Sequence, residues 1–204
     1  MVLLVGDLAQ LPPINAPFVF KSVSWEFFMP LFLHTPKRQS EDIDYFETLQ
    51  EIRFNQITNE NWEKLKSKVI APSDTKSPLE TTHIMGYRSM ADRINEIAMS
   101  YLPIDESYDL SFTSFALDKL DNESWDIKKL HKTQGLTLPD VTVALDSQMF
   151  AAGQAYVAIS RAKTWDSLTL TALDYDSIKT DEKVIMEYSR LQEKYDRLIT
   201  SFGV

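Results

Sequence analysis

Four short stretches of this 204-residue chain place polar side chains where chemistry is done. Gly6-Asp7-Leu8-Ala9-Gln10-Leu11-Pro12-Pro13 sets a glutamine on a proline-stiffened loop after the apolar run Val2–Val5. A polar group held at the carboxyl end of a strand is well placed to meet a ligand; a surface turn would have the same composition. Lys37-Arg38-Gln39 puts a guanidinium at an expected strand-to-helix junction. Its planar, permanently charged fork pairs with phosphate through two bonds at once, and a solvated arginine fits the same wording. His131-Lys132-Thr133-Gln134-Gly135-Leu136-Thr137-Leu138 crowds donors around a glycine. Hydroxyls, amides and backbone N–H groups are what phosphodiester contacts use, and a polar loop entering a strand would also read this way. Gly153 to Ala162 (GQAYVAISRA) is small and apolar yet carries Arg161 near its end. A cation on a buried helix calls for an anionic partner, either a structural carboxylate or a nucleotide phosphate.

The elements that must position these groups follow from pattern. Val2–Val5, Leu31–Thr35, Thr82–Met85, Asp126–Leu130, Val141–Leu145 and Leu168–Leu173 are short apolar or β-branched runs and predict strands. Pro12, Pro13 and Pro17 forbid helix in the first loop. A short helix is expected from Trp25 to Leu31. Ile43, Phe46, Leu49 and Ile52 line one face of a helix spanning Glu41 to Arg53. Thr58 caps a second helix to about Val69, and Ser89 caps a third to about Leu102. Residues 103–124 read as loop or a degenerate insertion. A helix is expected over Ala151–Ala162, and another from Thr180, with Val184, Tyr188, Leu191, Tyr195 and Leu198 packing back on the body. Strands alternating with helices predict an α/β fold with a mostly parallel sheet covered on both faces.

Composition narrows the function classes. With 44% hydrophobic and 25% charged residues the chain reads as a soluble, intracellular globular protein. It has no cysteine, which excludes disulfides, thiolate metal sites and cysteine nucleophiles. Its three histidines, His34, His83 and His131, are too scattered in sequence to suggest a metal site. No apolar run is long enough to span a membrane, so no membrane partner is expected. The net charge of −9, from 21 basic and 30 acidic residues, argues against a general nucleic-acid-coating protein. Trp125 to Lys163 departs from that balance: Lys128, Lys129, Lys132, Arg161 and Lys163 face only Asp126, Asp140 and Asp146 there.

Order and wording together make the four stretches specific. "GDLAQLPP" resembles motif III, "KRQ" motif IV, "HKTQGLTL" motif V and "GQAYVAISRAKT" motif VI of the Pif-one-like DNA helicases, RecD relatives in superfamily one. The resemblance runs over roughly residues 2–175, including "FETLQEIRFNQITNENWEKL" after motif IV. It implies an ATP-dependent DNA helicase acting in replication, repair, recombination or telomere maintenance, in the nucleus or mitochondrion if the source is eukaryotic. The implied fold is RecA-like, of the P-loop NTPase type. Residues 1–20 would be a remnant of the first lobe carrying its final strand and motif III. Residues 21–175 would be the second lobe, and 176–204 a C-terminal helix. Gln10, Arg38 and Arg161 would be catalytic, the two arginines as fingers on the γ-phosphate of ATP. Asp7, Gln10, Arg38, Gly153 and Arg161 would contact the nucleotide. Lys132, Thr133, Gln134, Gly135 and Thr137 would hold single-stranded DNA, while His131 and Tyr156 would be structural.

The departures from the family pattern are equally specific. No G-x-x-x-x-G-K-[ST] loop and no Asp-Glu pair precede motif III, and only five glycines occur in all. ATP and Mg²⁺ would therefore need a first lobe, supplied in cis or in trans. "MGYRSMADRIN" replaces a segment that carries Thr-Asn in the family, and about thirty residues (Asn95 to Trp125) stand where an inserted subdomain is found. The expectation is a truncated carboxyl-terminal helicase portion, inactive by itself. The alternative is a non-catalytic DNA- or partner-binding module left after loss of the ATPase lobe.

Overall fold

The computed structural model describes residues 2–102 and 137–202. Its centre is a parallel sheet of β1 (Thr82–Ile84), β2 (Val141–Leu145) and β3 (Leu168–Leu173), in that spatial order. Thr82 pairs with Val141 and Val141 with Leu168, with one register shift between Val143 and Ala144. Beyond β3 the sheet is extended by a single parallel bridge from Val69 to Leu170. Val141, Thr142, Val143 and Leu145 are all buried, as a central strand covered on both faces requires. The expected strand at 126–130 lies outside the described residues.

The helices are α1 (Ile43–Arg53), α2 (Asn59–Ser67), α3 (Arg88–Ser100), α4 (Gln154–Ile159) and α5 (Glu182–Phe202); α3 packs on β1, α4 on β2 and α2 on β3, with α1 against α4. Asp42 caps α1 by accepting from the Tyr45 amide, and Thr58 caps α2 by accepting from the Asn61 amide. Ser89 does not cap α3: Tyr87 is the cap residue, without a side-chain bond. α4 is shorter than its apolar run, because Gly153 enters it in a left-handed conformation (φ 74°). Tyr45, Leu49 and Ile52 of α1 join Leu65, the β2 and β3 side chains, Ala155, Ala158 and Ile159 in one core. The Tyr45 hydroxyl donates to the Ile159 carbonyl at 2.7 Å, fixing α1 to α4.

Two expected strands are absent. Val2–Val5 is irregular and unpaired, with Val5 83% exposed, and no strand among the described residues lies beside it. An apolar run becomes a strand only where a partner takes its backbone donors and acceptors. Leu31–Thr35 is likewise irregular, and the helix expected at Trp25–Leu31 is instead the 3₁₀ turn Val23–Phe27, preceded by another at Val19–Lys21. The aromatic segment containing them is held by α5. Trp25 Nε1 donates to Glu187 at 2.7 Å, Lys194 Nζ to the Glu26 and Phe28 carbonyls at 2.8 and 2.9 Å, and Phe32 packs edge-on against Tyr195. Among the described residues no helix is long and apolar enough to cross a membrane.

Candidate functional site

The loop after Gly6 is built around Asp7. Its Oδ1 accepts from Arg53 Nη2 at 2.8 Å, from Arg53 Nε at 3.2 Å, from the Tyr188 hydroxyl at 2.7 Å and from the Ala9 amide at 3.1 Å. Oδ2 accepts from Gln10 Nε2 at 3.5 Å. The Tyr188 hydroxyl also accepts from the Leu8 amide at 3.0 Å, and the Arg53 guanidinium lies 4.7 Å from the Tyr188 ring centre. Burial alone would raise the Asp7 carboxyl, but Arg53, the Tyr188 hydroxyl and the Ala9 amide together hold it below its ordinary 3.8. Burial and the Asp7 charge in turn push the Tyr188 phenol up to about 12. Asp7 thus ties the loop to α1 and to α5 at once, and Gln10 sits half-buried on that loop.

Gly153 brings motif VI against the same loop. A Cβ on it would stand 2.5 Å from the Ala9 carbonyl oxygen and 2.7 Å from that of Gln10, so only glycine permits this approach. The residual space there, about 10 Å³, holds a water at most.

Arg38 and Arg161 meet at the carboxyl end of α4. Arg38 Nη1 donates to the Ser160 carbonyl at 2.8 Å and Nε to Thr137 Oγ1 at 2.8 Å. Arg161, 1% exposed, donates from Nη2 to Ser160 Oγ at 2.9 Å and folds back along the helix to the Val157 carbonyl at 2.8 Å. Desolvation, reinforced by the neighbouring Arg38 charge, brings the Arg161 pKa down to about 10. The two guanidinium groups therefore share one serine and one side of the lobe. Beside them Lys37, Arg38, Ser40, Glu41, Thr137 and Lys163 line an open cleft of about 450 Å³.

Of the residues singled out in the sequence, Arg38, Arg161 and Thr137 are brought together, and Asp7, Gln10 and Gly153 form a second group at the amino end of α4. Lys132, Thr133, Gln134 and Gly135 lie outside the described residues. Sequence reading missed Arg53 and Tyr188, which hold Asp7. It also missed Gln39, which is buried and donates to the Ser160 and Ala162 carbonyls at 3.4 and 2.9 Å. Arg53 gave one signal, a cation directly after the apolar Ile52 on a helix that buries its neighbours. No group of three or more metal-ligating side chains among the described residues is arranged to hold an ion.

No family model matches the chain. It is 43% identical over 67 residues to the ATP-dependent DNA helicase PIF6 of Trypanosoma brucei brucei, covering 33% of this chain and 8% of that protein. It is 22% identical over 282 aligned positions to the ATP-dependent DNA helicase PIF1 of Danio rerio, covering 95% of this chain and 44% of the relative. The chain thus spans less than half the length of these relatives. Its fold matches that of Bacteroides Pif1 bound to single-stranded DNA with a TM-score of 0.63 at 17% identity, over 97% of this chain and 66% of that one. The chain resembles Pif1 helicases in sequence over a third of its length and in fold over nearly all of it.

Proposed function

We propose that this chain is the carboxyl-terminal motor portion of a Pif1-like ATP-dependent DNA helicase. In this reading residues 1–20 carry the last part of a first RecA-like lobe, 21–175 form the second lobe, and 176–204 add the clasping helix. The observation that carries it is the convergence of Arg38 and Arg161 on Ser160. Two like charges, one of them desolvated, repel each other, and the charge a polyphosphate brings relieves that repulsion. Bound ATP supplies the γ-phosphoryl group, and fingers of this kind lower its transfer barrier by roughly 10³–10⁵ in rate. Gln10 reaches the nucleotide side from the loop that Asp7 holds and Gly153 packs against. Thr137 takes the DNA backbone together with Lys132, Thr133, Gln134 and Gly135, and its hydroxyl bond to Arg38 links the DNA contact to the finger. Mg²⁺ would draw its carboxylates from a first lobe joined in cis or in trans. Such an enzyme acts in DNA replication, repair, recombination or telomere maintenance, in the nucleus or mitochondrion of a eukaryotic source.

The test is phosphate release in the presence of Mg²⁺ and single-stranded DNA. The isolated chain gives none above background. Joined to a first lobe it gives DNA-stimulated turnover that falls by about 10³ or more in Arg161→Ala. Turnover by the isolated chain that Arg161→Ala abolishes would overturn the reading. A second reading, a non-catalytic DNA- or partner-binding module, draws on the net charge of −9 and on the short stretch from Asn95 to Trp125 that stands where the family has an inserted subdomain. An in-frame P-loop in the adjoining upstream gene sequence would decide against it.

A further inference from the structure

β1 and β2 are neighbours, and the loops leaving their carboxyl ends carry two aromatic rings that meet. Tyr87 and Phe150 stack with centroids 5.6 Å apart and planes 18° from parallel. Both are on the surface, 47% and 60% exposed. A near-parallel pair at that separation is an offset stack, and each ring still offers an outer face.

The pair is held rigidly from beneath. A Cβ at Gly86 would overlap the Gln148 carbonyl, so the two loops touch backbone to backbone. Asp146 accepts from the Gln148 amide at 2.9 Å and from its side chain at 3.2 Å, closing the second loop into a turn. Met149, 1% exposed, anchors that loop in the core, which turns the next residue, Phe150, outward. Fixed rings lose little freedom when a third ring joins them. Arg88, following Tyr87, is 72% exposed at its side chain and shares its charge only loosely with Asp92 at 3.6 Å.

We propose that Tyr87 and Phe150 form a stacking platform for a base of single-stranded DNA, with Arg88 meeting the adjoining phosphate. Flat aromatic faces accept any base, and an arginine beside them supplies charge for the backbone. The carboxyl edge of a parallel sheet is where such folds bind ligands. This platform uses other residues than the backbone contacts proposed for Lys132, Thr133, Gln134, Gly135 and Thr137, and it rests on the reading of the chain as a DNA-binding helicase portion.

The experiment compares fluorescently labelled (dT)12 with an abasic strand of the same length, titrated with the full chain at low salt. Wild type binds (dT)12 roughly ten- to hundred-fold more tightly than the abasic strand, the range that stacking on an aromatic side chain provides. The Tyr87→Ala/Phe150→Ala double variant loses most of that preference and keeps its affinity for the abasic strand. Tyr87→Trp retains the preference, and Arg88→Gln weakens both strands alike with a shallower salt dependence. Circular dichroism confirms that each variant is folded. A preference that survives the double substitution, or a wild type that binds both strands equally, overturns the platform and leaves the helicase reading standing. No binding of either strand by wild type overturns both.

Discussion

Gly153→Ala separates the two halves of the candidate site with a single methyl group. At φ 74° an alanine occupies left-handed backbone, which costs about 1–2 kcal/mol. Its Cβ would stand 2.5 Å from the Ala9 oxygen and 2.7 Å from the Gln10 oxygen. Both are backbone atoms, so relief means moving the loop, and overpacking of this kind adds roughly 1–3 kcal/mol. The sum is about 2–5 kcal/mol, a large fraction of the 5–15 kcal/mol by which domains are typically stable. For a chain of this size that is a melting point lower by about 4–20 °C. Gly6→Ala is the matched control: no atom lies within 4 Å of its Cβ, and its stability should stay within about 0.5 kcal/mol of wild type. Thermal and urea unfolding followed by circular dichroism measure both. If Gly153→Ala unfolds together with Gly6→Ala, the motif III loop does not rest on α4, and the account of how Gln10 is placed fails.

Asp7 has a folded pKa below its ordinary value, so its stabilising contribution is complete above pH 4 and disappears as pH falls through the depressed value. Urea midpoints should therefore drop more steeply between about pH 4 and pH 2 in wild type than in Asp7→Asn, and parallel slopes would refute the network. Arg53→Met leaves a largely buried carboxylate without its cation and should cost about 1–3 kcal/mol at pH 7, read in the same assay. Gln39→Ala strips a buried donor from the Ala162 carbonyl, while the Ser160 carbonyl keeps its bond from Arg38; a loss of about 1–3 kcal/mol is expected, and a neutral result would mean the Ala162 carbonyl is bonded otherwise. Lys132→Ala/Gln134→Ala should weaken single-stranded DNA binding and flatten its log–log salt dependence by about 0.7, whereas an affinity equal to wild type would move the backbone contact elsewhere.

What the sequence made legible were elements whose pattern is local. β2, β3 and α2 lie where their runs and caps place them. α1 was found for a reason that was only half right. Ile43, Phe46, Leu49 and Ile52 recur every third residue, but at about 100° per residue such a row winds around the helix, leaving Ile43 about 180° from Ile52. Ile43 is accordingly 50% exposed, and the buried face is Tyr45, Thr48, Leu49 and Ile52, all within an arc of about 100°. Val2–Val5 and Leu31–Thr35 were misread because strand formation depends on a neighbour that no local pattern reveals. The candidate site divides similarly. Gln10, Arg38 and Arg161 were singled out by motif wording, while Arg53, Tyr188 and Gln39 act across 46 to 181 positions of chain separation. Only the folded chain brings such partners together.

The clasp between α5 and the early chain gives the molecule a lever. A helix of 21 residues is about 30 Å long, and Tyr188 lies seven residues into it. The Tyr188 hydroxyl rests on Asp7 and the Leu8 amide, so the fulcrum is the loop that carries Gln10. Beyond it about 21 Å of helix extends to Phe202. A rocking of the loop by about 5° would sweep that end through about 2 Å, and Glu26 and Phe28, bonded to Arg190 and Lys194 on that arm, would travel with it. A displacement at one half-buried glutamine is thereby magnified into a movement of a whole outer face.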